Sequence, residues 1–337
     1  MQILQNISLK AYNTFGMDVH ADYYTAITQP EQLAAITADA SLPAKRFVLG
    51  GGSNVLLTQS LHGLVLHNKI KGIEKIKEDD EHIWVSVGAG EVWHDFVMYA
   101  IANHWAGIEN LALIPGTVGA APIQNIGAYG VEVKDAIDCV TGWHWDMKQL
   151  LPFYNDECAF GYRDSIFKHQ LKDKVFITSV TFRLNKKPKY NTSYGAIEQE
   201  LQKMGVTEPT IAAIADAVIA IRSSKLPNPR EIGNAGSFFK NPTIPATQYE
   251  TLKETFPTIP SYPAGEETVK VPAGWLIEQC GWKGFRAGDV GVHEKQALVL
   301  VNYGNATGGA VWDLSDNIVK TVHDKFHITL EREVQVW

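Results

Sequence analysis

The 337-residue chain holds three cysteines, Cys139, Cys158 and Cys280, far apart and without a C-x-x-C spacing. That scarcity excludes a disulfide scaffold and a thiolate zinc module, and it fits a reducing compartment. No run approaches the roughly 20 apolar residues that span a bilayer. The opening Met-Gln-Ile-Leu-Gln-Asn-Ile-Ser lacks the basic start and apolar core of a secretory leader. The expectation is a cytoplasmic protein. Positive charge is short as well: 30 lysines and arginines face 37 aspartates and glutamates, a formal net charge of −7. A broad basic face for nucleic acid is thereby excluded, and any anionic ligand must be held by a local cluster. The 11 histidines show no H-E-x-x-H or similar ligand spacing, so no metal is expected. The dinucleotide fingerprint G-x-G-x-x-G fails at its third glycine, which is Val55 after Gly50 and Gly52 and Trp93 after Gly88 and Gly90. The phosphate loop G-x-x-x-x-G-K-[ST] is absent too, so neither a Rossmann nor an ATPase reading stands.

What the chain has in abundance is small residues in two places. The stretch Ile114 to Gly130 carries four glycines, three alanines and two prolines, and no charge. Glycine permits positive φ and close approach to the main chain. Two readings remain open for it: a buried loop packed for its own sake, or a cradle for a large flat or anionic ligand. The second place is Gly50-Gly51-Gly52-Ser53-Asn54, between the apolar strands 46–49 and 55–57. Three glycines cost much entropy for a plain turn, which favours an anion nest of N–H groups.

Around these loops, periodicity predicts helices over 30–40, 91–105, 210–223, 247–256, 275–280 and 310–326. Alternation predicts strands near 64–66, 73–76, 82–87, 136–145, 175–184, 297–301 and 328–336, with residues 1–20 mostly irregular. The fold class is α+β. A break at Lys186-Lys187-Pro188-Lys189 suggests a domain boundary.

Two further segments stand out: Gly161-Tyr162-Arg163-Asp164-Ser165, and Gly233-Asn234-Ala235-Gly236-Ser237-Phe238-Phe239-Lys240-Asn241-Pro242. Taken singly, their residues have plain explanations. Arg163 and Asp164 could form a surface ion pair, and Ser237 could be a turn residue. Lys225 could meet a helix dipole, and Glu333 could be solvated near the chain end. Taken together and in order, the segments resemble a known family. The two glycine-rich loops resemble the FAD-contacting loops of the vanillyl-alcohol-oxidase (PCMH-type) fold. The Arg163 and Ser237 segments narrow the resemblance to the UDP-N-acetylenolpyruvoylglucosamine reductase (MurB) family, from Asn13-Thr14-Phe15-Gly16 to Glu333-Val334.

The resemblance implies a two-lobed PCMH-type FAD domain over 1–186, with lobes about 1–66 and 67–186 and strand 328–337 returning to the first lobe. A substrate domain would cover 187–327. Noncovalent FAD would be held by Gly50, Gly51, Gly52, Ser53, Asn54, Pro115, Gly116, Thr117, Gly119, Ala120, Gln124, Asn125, Gly127, Ala128 and Tyr129. Arg163, Ser237 and Glu333 would be catalytic, and Tyr194, Lys225, Asn241, Tyr262, Lys283 and Gln296 would bind substrate. Tyr194 and Tyr262 suggest the subtype with an extra tyrosine-bearing loop.

The implied reaction passes hydride from NADPH to FAD, then from flavin N5 to the enol-ether CH2 of UDP-N-acetylglucosamine enolpyruvate, forming UDP-N-acetylmuramate for peptidoglycan. NADPH and the sugar nucleotide would use one cleft in turn. Arg163 suits the substrate carboxylate, and a protonated Glu333 could share it. Ser237 would give the proton, with a basic neighbour lending it acidity. The partner is this small molecule, with no nucleic acid and no membrane, and the chain is expected as a monomer. Two other classes compete: an oxygen-using oxidase of a small alcohol or lactone, and a nucleotide-sugar binding module without catalysis.

Overall fold

The computed structural model describes residues 1–193 and 195–337. It mixes helices and strands throughout, in an α+β fold, and divides into two compact units. One comprises Met1–Ile7, Ala21–Gly51 and Leu61–Ser224; the other comprises Ser8–His20, Gly52–Ser60 and Lys225–Trp337.

The first unit carries two sheets. Four strands run in the order Leu4–Ser8, His20–Ile27, Leu61–Asn68, Arg46–Leu49. Leu61–Asn68 pairs in parallel with both neighbours, and all but one of its residues are buried. A parallel strand covered on both faces reads as a continuous apolar run, as Leu64-Val65-Leu66 does. The second sheet has five strands in the order Gln149–Tyr154, Ile137–His144, Val175–Asn185, His82–Gly88, Ile73–Glu78, all antiparallel. Helix α1 (Glu31–Ala38) buries Leu33 and Ile36 against the first sheet's core. Helix α2 (Trp93–Ala102) buries Trp93, Phe96, Val97, Ala100 and Ile101, and Phe96 stacks on Phe182 with centroids 4.8 Å apart.

Helices α3 (Gly195–Lys203) and α4 (Ile211–Lys225) complete this core through Ile197, Leu201, Ile214 and Val218. The boundary expected near residue 187 therefore falls inside this unit. Its Lys-Lys-Pro-Lys signal is an exposed crossing of the chain, while the apolar faces of α3 and α4 find their partners in the Trp93–Phe182 core. Residues 1–20, expected irregular, include the edge strand Leu4–Ser8, whose half-exposed pattern hides its periodicity.

The second unit is built on the antiparallel order Gly233–Ser237, Val299–Asn302, Val290–Val292, Arg286–Ala287. Helices α5 (Ala246–Thr255) and α6 (Ala273–Gln279) precede it in part, and α7 (Gly308–Phe326) closes it. Along α7, Val311, Leu314, Ile318, Val322 and Phe326 recur at helical spacing and are all buried. Thr307 caps its start by accepting from Ala310 N at 3.1 Å. Gly308 fits there because a Cβ would stand 2.0 Å from the Leu57 carbonyl oxygen. Gly308→Ala is expected to lower stability by about 1–3 kcal/mol through overpacking, measured by urea unfolding; a loss below the error of the fit would contradict this.

The strand expected over 328–336 is realised only at Gln335–Val336, parallel to Val55–Leu56. Upstream, the chain runs beside the Ser237 segment instead: Lys240 N donates to Glu331 O, and Glu333 N donates to Phe238 O. The alternation in the sequence reflects this pairing, which an isolated bridge between Phe239 and Arg332 marks without a full ladder.

Candidate functional site

The two glycine-rich loops interlock. A Cβ on Gly50 would lie 2.6 Å from Thr117 Oγ1, and one on Gly51 would lie 3.1 Å from Gly116 Cα. Only glycine lets the 50–51 backbone lie against 116–117 so closely. Gly119 is held likewise, its N–H donating to Ala89 O at 2.9 Å, and Ala120 N donates to Thr117 O. Among the described residues, no carbonyl takes the N–H groups of Gly51, Gly116 or Thr117. Amide donors left in this way favour an anion. At Gly51–Gly52 the chain passes into the second unit, where Gly52 has φ +63° and its carbonyl accepts from Thr14 N at 3.0 Å. Ser53 follows it there, and the Asn54 side chain donates to Glu333 O at 3.4 Å.

Behind the Gly50 turn lies His67, only 4% exposed, with Nδ1 2.7 Å from Tyr24 Oη. Burial pushes its pKa down to about 4, helped by nearby Lys69 and opposed by a bond to the Gly50 backbone. Unfolded, the ring would titrate near 6.5. The neutral ring therefore stabilises the fold fully above pH ~6.5, and that stability is lost as pH falls towards 4, on the order of 3 kcal/mol in all. Urea unfolding of the wild type between pH 7 and 4 should show this loss, and His67→Gln should lack it; equal pH slopes would contradict it.

The long loop then folds around Asn125. This fully buried residue has φ +42°, donates to Glu132 Oε2 at 3.0 Å and Gly161 O at 2.8 Å, and accepts from Lys134 N at 3.1 Å. It thereby ties 125–134 to the Arg163 turn. Arg163, at φ +54°, donates to Gly127 O at 2.6 Å and Asn125 O at 3.4 Å, and Lys168 Nζ donates to the Arg163 carbonyl at 3.0 Å. Asp164 pairs with His169 at 2.8 Å. Gln124, Gly127, Ala128 and Tyr129 line the same half-buried turn, with Tyr129 also at positive φ, while Pro115 is exposed.

A second arginine belongs here that sequence reasoning passed over. Arg222 of α4 donates from Nε to Leu113 O at 3.3 Å. Burial lowers its pKa, Tyr129 opposes that, and the charge of Arg163 adds to it. Two guanidinium groups whose like charges oppose each other suit an anionic partner. In sequence, Arg222 sits in an Ala-Ile helical run with no motif, so nothing marked it.

In the second unit, Ser237 ends its strand just after a bulge, with Gly236 at φ +71° and the register broken between Asn234 and Ser237. Bulges re-aim the side chain that follows. Phe238 and Phe239, both fully buried, anchor the segment, which runs between Leu298–Val299 and Glu331–Glu333. Among the described residues nothing hydrogen-bonds the Ser237 hydroxyl. Lys240 pairs with Glu331 and caps that edge, and Glu333 is fixed by its own N–H to Phe238 O.

Of the substrate candidates, Asn241 accepts from Ala273 N at 2.9 Å, and Gln296 accepts from Leu298 N at 3.3 Å. Lys283 pairs with Glu278 at 2.9 Å, Lys225 ends α4 exposed, and Tyr262 lies exposed on a short strand. Tyr194 lies outside the described residues. The structure thus gathers Arg163 with the glycine loops in one unit and Ser237 with Glu333 in the other.

Residues 21–145 match an FAD binding domain, and residues 228–337 match the C-terminal domain of UDP-N-acetylenolpyruvoylglucosamine reductase. The reductase of Flavobacterium johnsoniae is 51% identical over 337 residues, covering all of both chains. The chain belongs to this reductase family. The Chromobacterium violaceum reductase is 48% identical over 335 residues, covering 99% of this chain and 98% of that protein. A crystal structure of the reductase (MurB) from Thermus caldophilus, 25% identical, superposes with a TM-score of 0.69 over 100% of this chain and 99% of that one. The 4-ethylphenol oxidase of Gulosibacter chungangensis, at 11% identity and a TM-score of 0.51, shares the fold alone.

Family membership makes the chain a flavin oxidoreductase, with FAD as its cofactor. The residues fit that group: the interlocked Gly50–Gly51 and Gly116–Thr117 backbone leaves amide donors for a diphosphate. No helix among the described residues is long and apolar enough to cross a membrane.

Proposed function

We propose that this reductase converts UDP-N-acetylglucosamine enolpyruvate to UDP-N-acetylmuramate, with NADPH as the source of hydride, in the supply of peptidoglycan precursors. Bound FAD supplies a hydride relay between NADPH and the enol-ether CH2 carbon. The 51% identity over the full length of the Flavobacterium johnsoniae enzyme is the observation that carries this reading.

The chain's own residues would divide the work as follows. Gly50–Asn54 and the 115–129 loop hold the cofactor through backbone donors. Arg163 takes the substrate carboxylate, whose charge grows as electron density flows into it; a planar, always protonated guanidinium is matched to that ion. Arg222 adds positive charge beside Arg163. Glu333 stands by the carboxylate in its protonated form, since an ionised neighbour would oppose the growing charge. Ser237 then gives its proton to the carbon next to the carboxylate. Lys225, Asn241, Tyr262, Lys283 and Gln296, with Tyr194, hold the UDP-sugar. Separate use of one site by NADPH and the sugar nucleotide accounts for a chain without a dinucleotide fingerprint.

The test is product identity. Anaerobic incubation with FAD, NADPH and the enolpyruvyl nucleotide should yield a nucleotide two hydrogens heavier, with one NADPH consumed for each. Oxidation of NADPH without change in the nucleotide would contradict the reading.

A further inference from the structure

Leu113 is a β-unbranched but bulky residue in the left-handed region, at φ +58°, immediately before the glycine-rich loop. A non-glycine residue pays for that conformation and keeps it only where its surroundings hold it. The holders are on α2. His94 Nδ1 accepts the Leu113 N–H at 3.1 Å. One residue earlier on the helix, Trp93 Nε1 donates to Leu111 O at 2.9 Å. The first turn of α2 thus grips the 111–113 segment at two points. The Leu113 carbonyl, turned by this conformation, receives Arg222 Nε at 3.3 Å.

We propose that His94 is a positioning residue for Arg222, acting through the left-handed Leu113 peptide to aim the second guanidinium of the anion site. His94 does this as a neutral ring with its proton on Nε2, because Nδ1 must keep a lone pair for Leu113. Half-burial favours that form, against the pull of the neighbouring Asp95. Nothing in the family resemblance or the motifs assigns His94 a part, and its place in a Trp-His-Asp helix start suggests only a surface residue.

The chain of contacts predicts a specific pattern of rescue and non-additivity. Asparagine can put an amide oxygen where Nδ1 stood; alanine cannot. His94→Ala should lower kcat/KM for the enolpyruvyl nucleotide roughly tenfold or more, as small misplacements of a binding group do. His94→Asn should recover most of it. In an Arg222→Met background, His94→Ala should cost less than about twofold further, since coupled residues do not add. The turnover cycle rests on the reductase reading; a second readout does not. The Arg222 Nε–H proton, followed by NMR exchange in the flavin-loaded protein, should be protected in the wild type and in His94→Asn and exposed in His94→Ala. Equal losses from His94→Ala in both backgrounds, or an Arg222 proton equally protected in His94→Ala, would overturn the proposal. A wild type without turnover whose Arg222 proton still follows this pattern would overturn the substrate and leave the positioning intact.

Discussion

Ser237→Ala is expected to split the reaction in two. Reduction of the flavin by NADPH should run at the wild-type rate, while reoxidation by the enolpyruvyl nucleotide should slow at least ~10²-fold, the usual worth of a positioned proton transfer. The fold should tolerate the change, because among the described residues the hydroxyl has no hydrogen-bond partner and the segment is anchored by Phe238 and Phe239, at 0% and 1% exposure. The bulge at Gly236, which sets where residue 237 points, is untouched. Ser237→Cys, which keeps an acidic proton in nearly the same place, should retain more of the second half-reaction than alanine. Stopped-flow absorbance of each half-reaction is the measurement. Reoxidation within a few-fold of wild type would remove Ser237 as the acid, and slowing of both halves alike would mark it as structural.

Arg163→Met should lose about 10²–10³-fold in the same half-reaction, the typical cost of removing one preorganised donor to a developing charge. Here the fold could suffer as well, because the guanidinium also bonds the Gly127 and Asn125 carbonyls. FAD affinity of each variant, by fluorescence titration, separates the two effects. Arg163→Lys keeps the charge and loses the planar fork, so it should fall between methionine and wild type. The positive φ at residue 163 burdens all three side chains alike and drops out of the comparison. Wild-type reoxidation in Arg163→Met with full FAD occupancy would contradict the assignment.

Much of this could be read from the residues because strong local signals agreed with the fold. Val311, Leu314, Ile318 and Val322 wrote α7 in apolar spacing, and Leu64-Val65-Leu66 wrote a strand covered on both faces. The glycines at 50–52 and 116–130 marked backbone that must come close to something, and Gly50 against Thr117 gives one reason. What stayed hidden depends on tertiary partners. Helix α3 is short and polar, and buries just Ile197 and Leu201 among its described residues. The 331–333 segment alternates like a strand yet makes only scattered bonds to 238–240. Arg222 owes its place to a carbonyl 109 positions away, and its lowered pKa to burial and to the like charge of Arg163, none of which sequence spacing conveys.

The central claim is one flavin serving a hydride donor and a hydride acceptor in turn, and a single anaerobic titration tests it. The FAD-loaded protein should show a flavin spectrum that bleaches with NADPH and returns when UDP-N-acetylglucosamine enolpyruvate is added. A reduced flavin that ignores the enolpyruvyl nucleotide, yet recolours at once on admitting oxygen, would contradict the account and point to an oxidase. A protein that takes up no FAD would contradict it at its root.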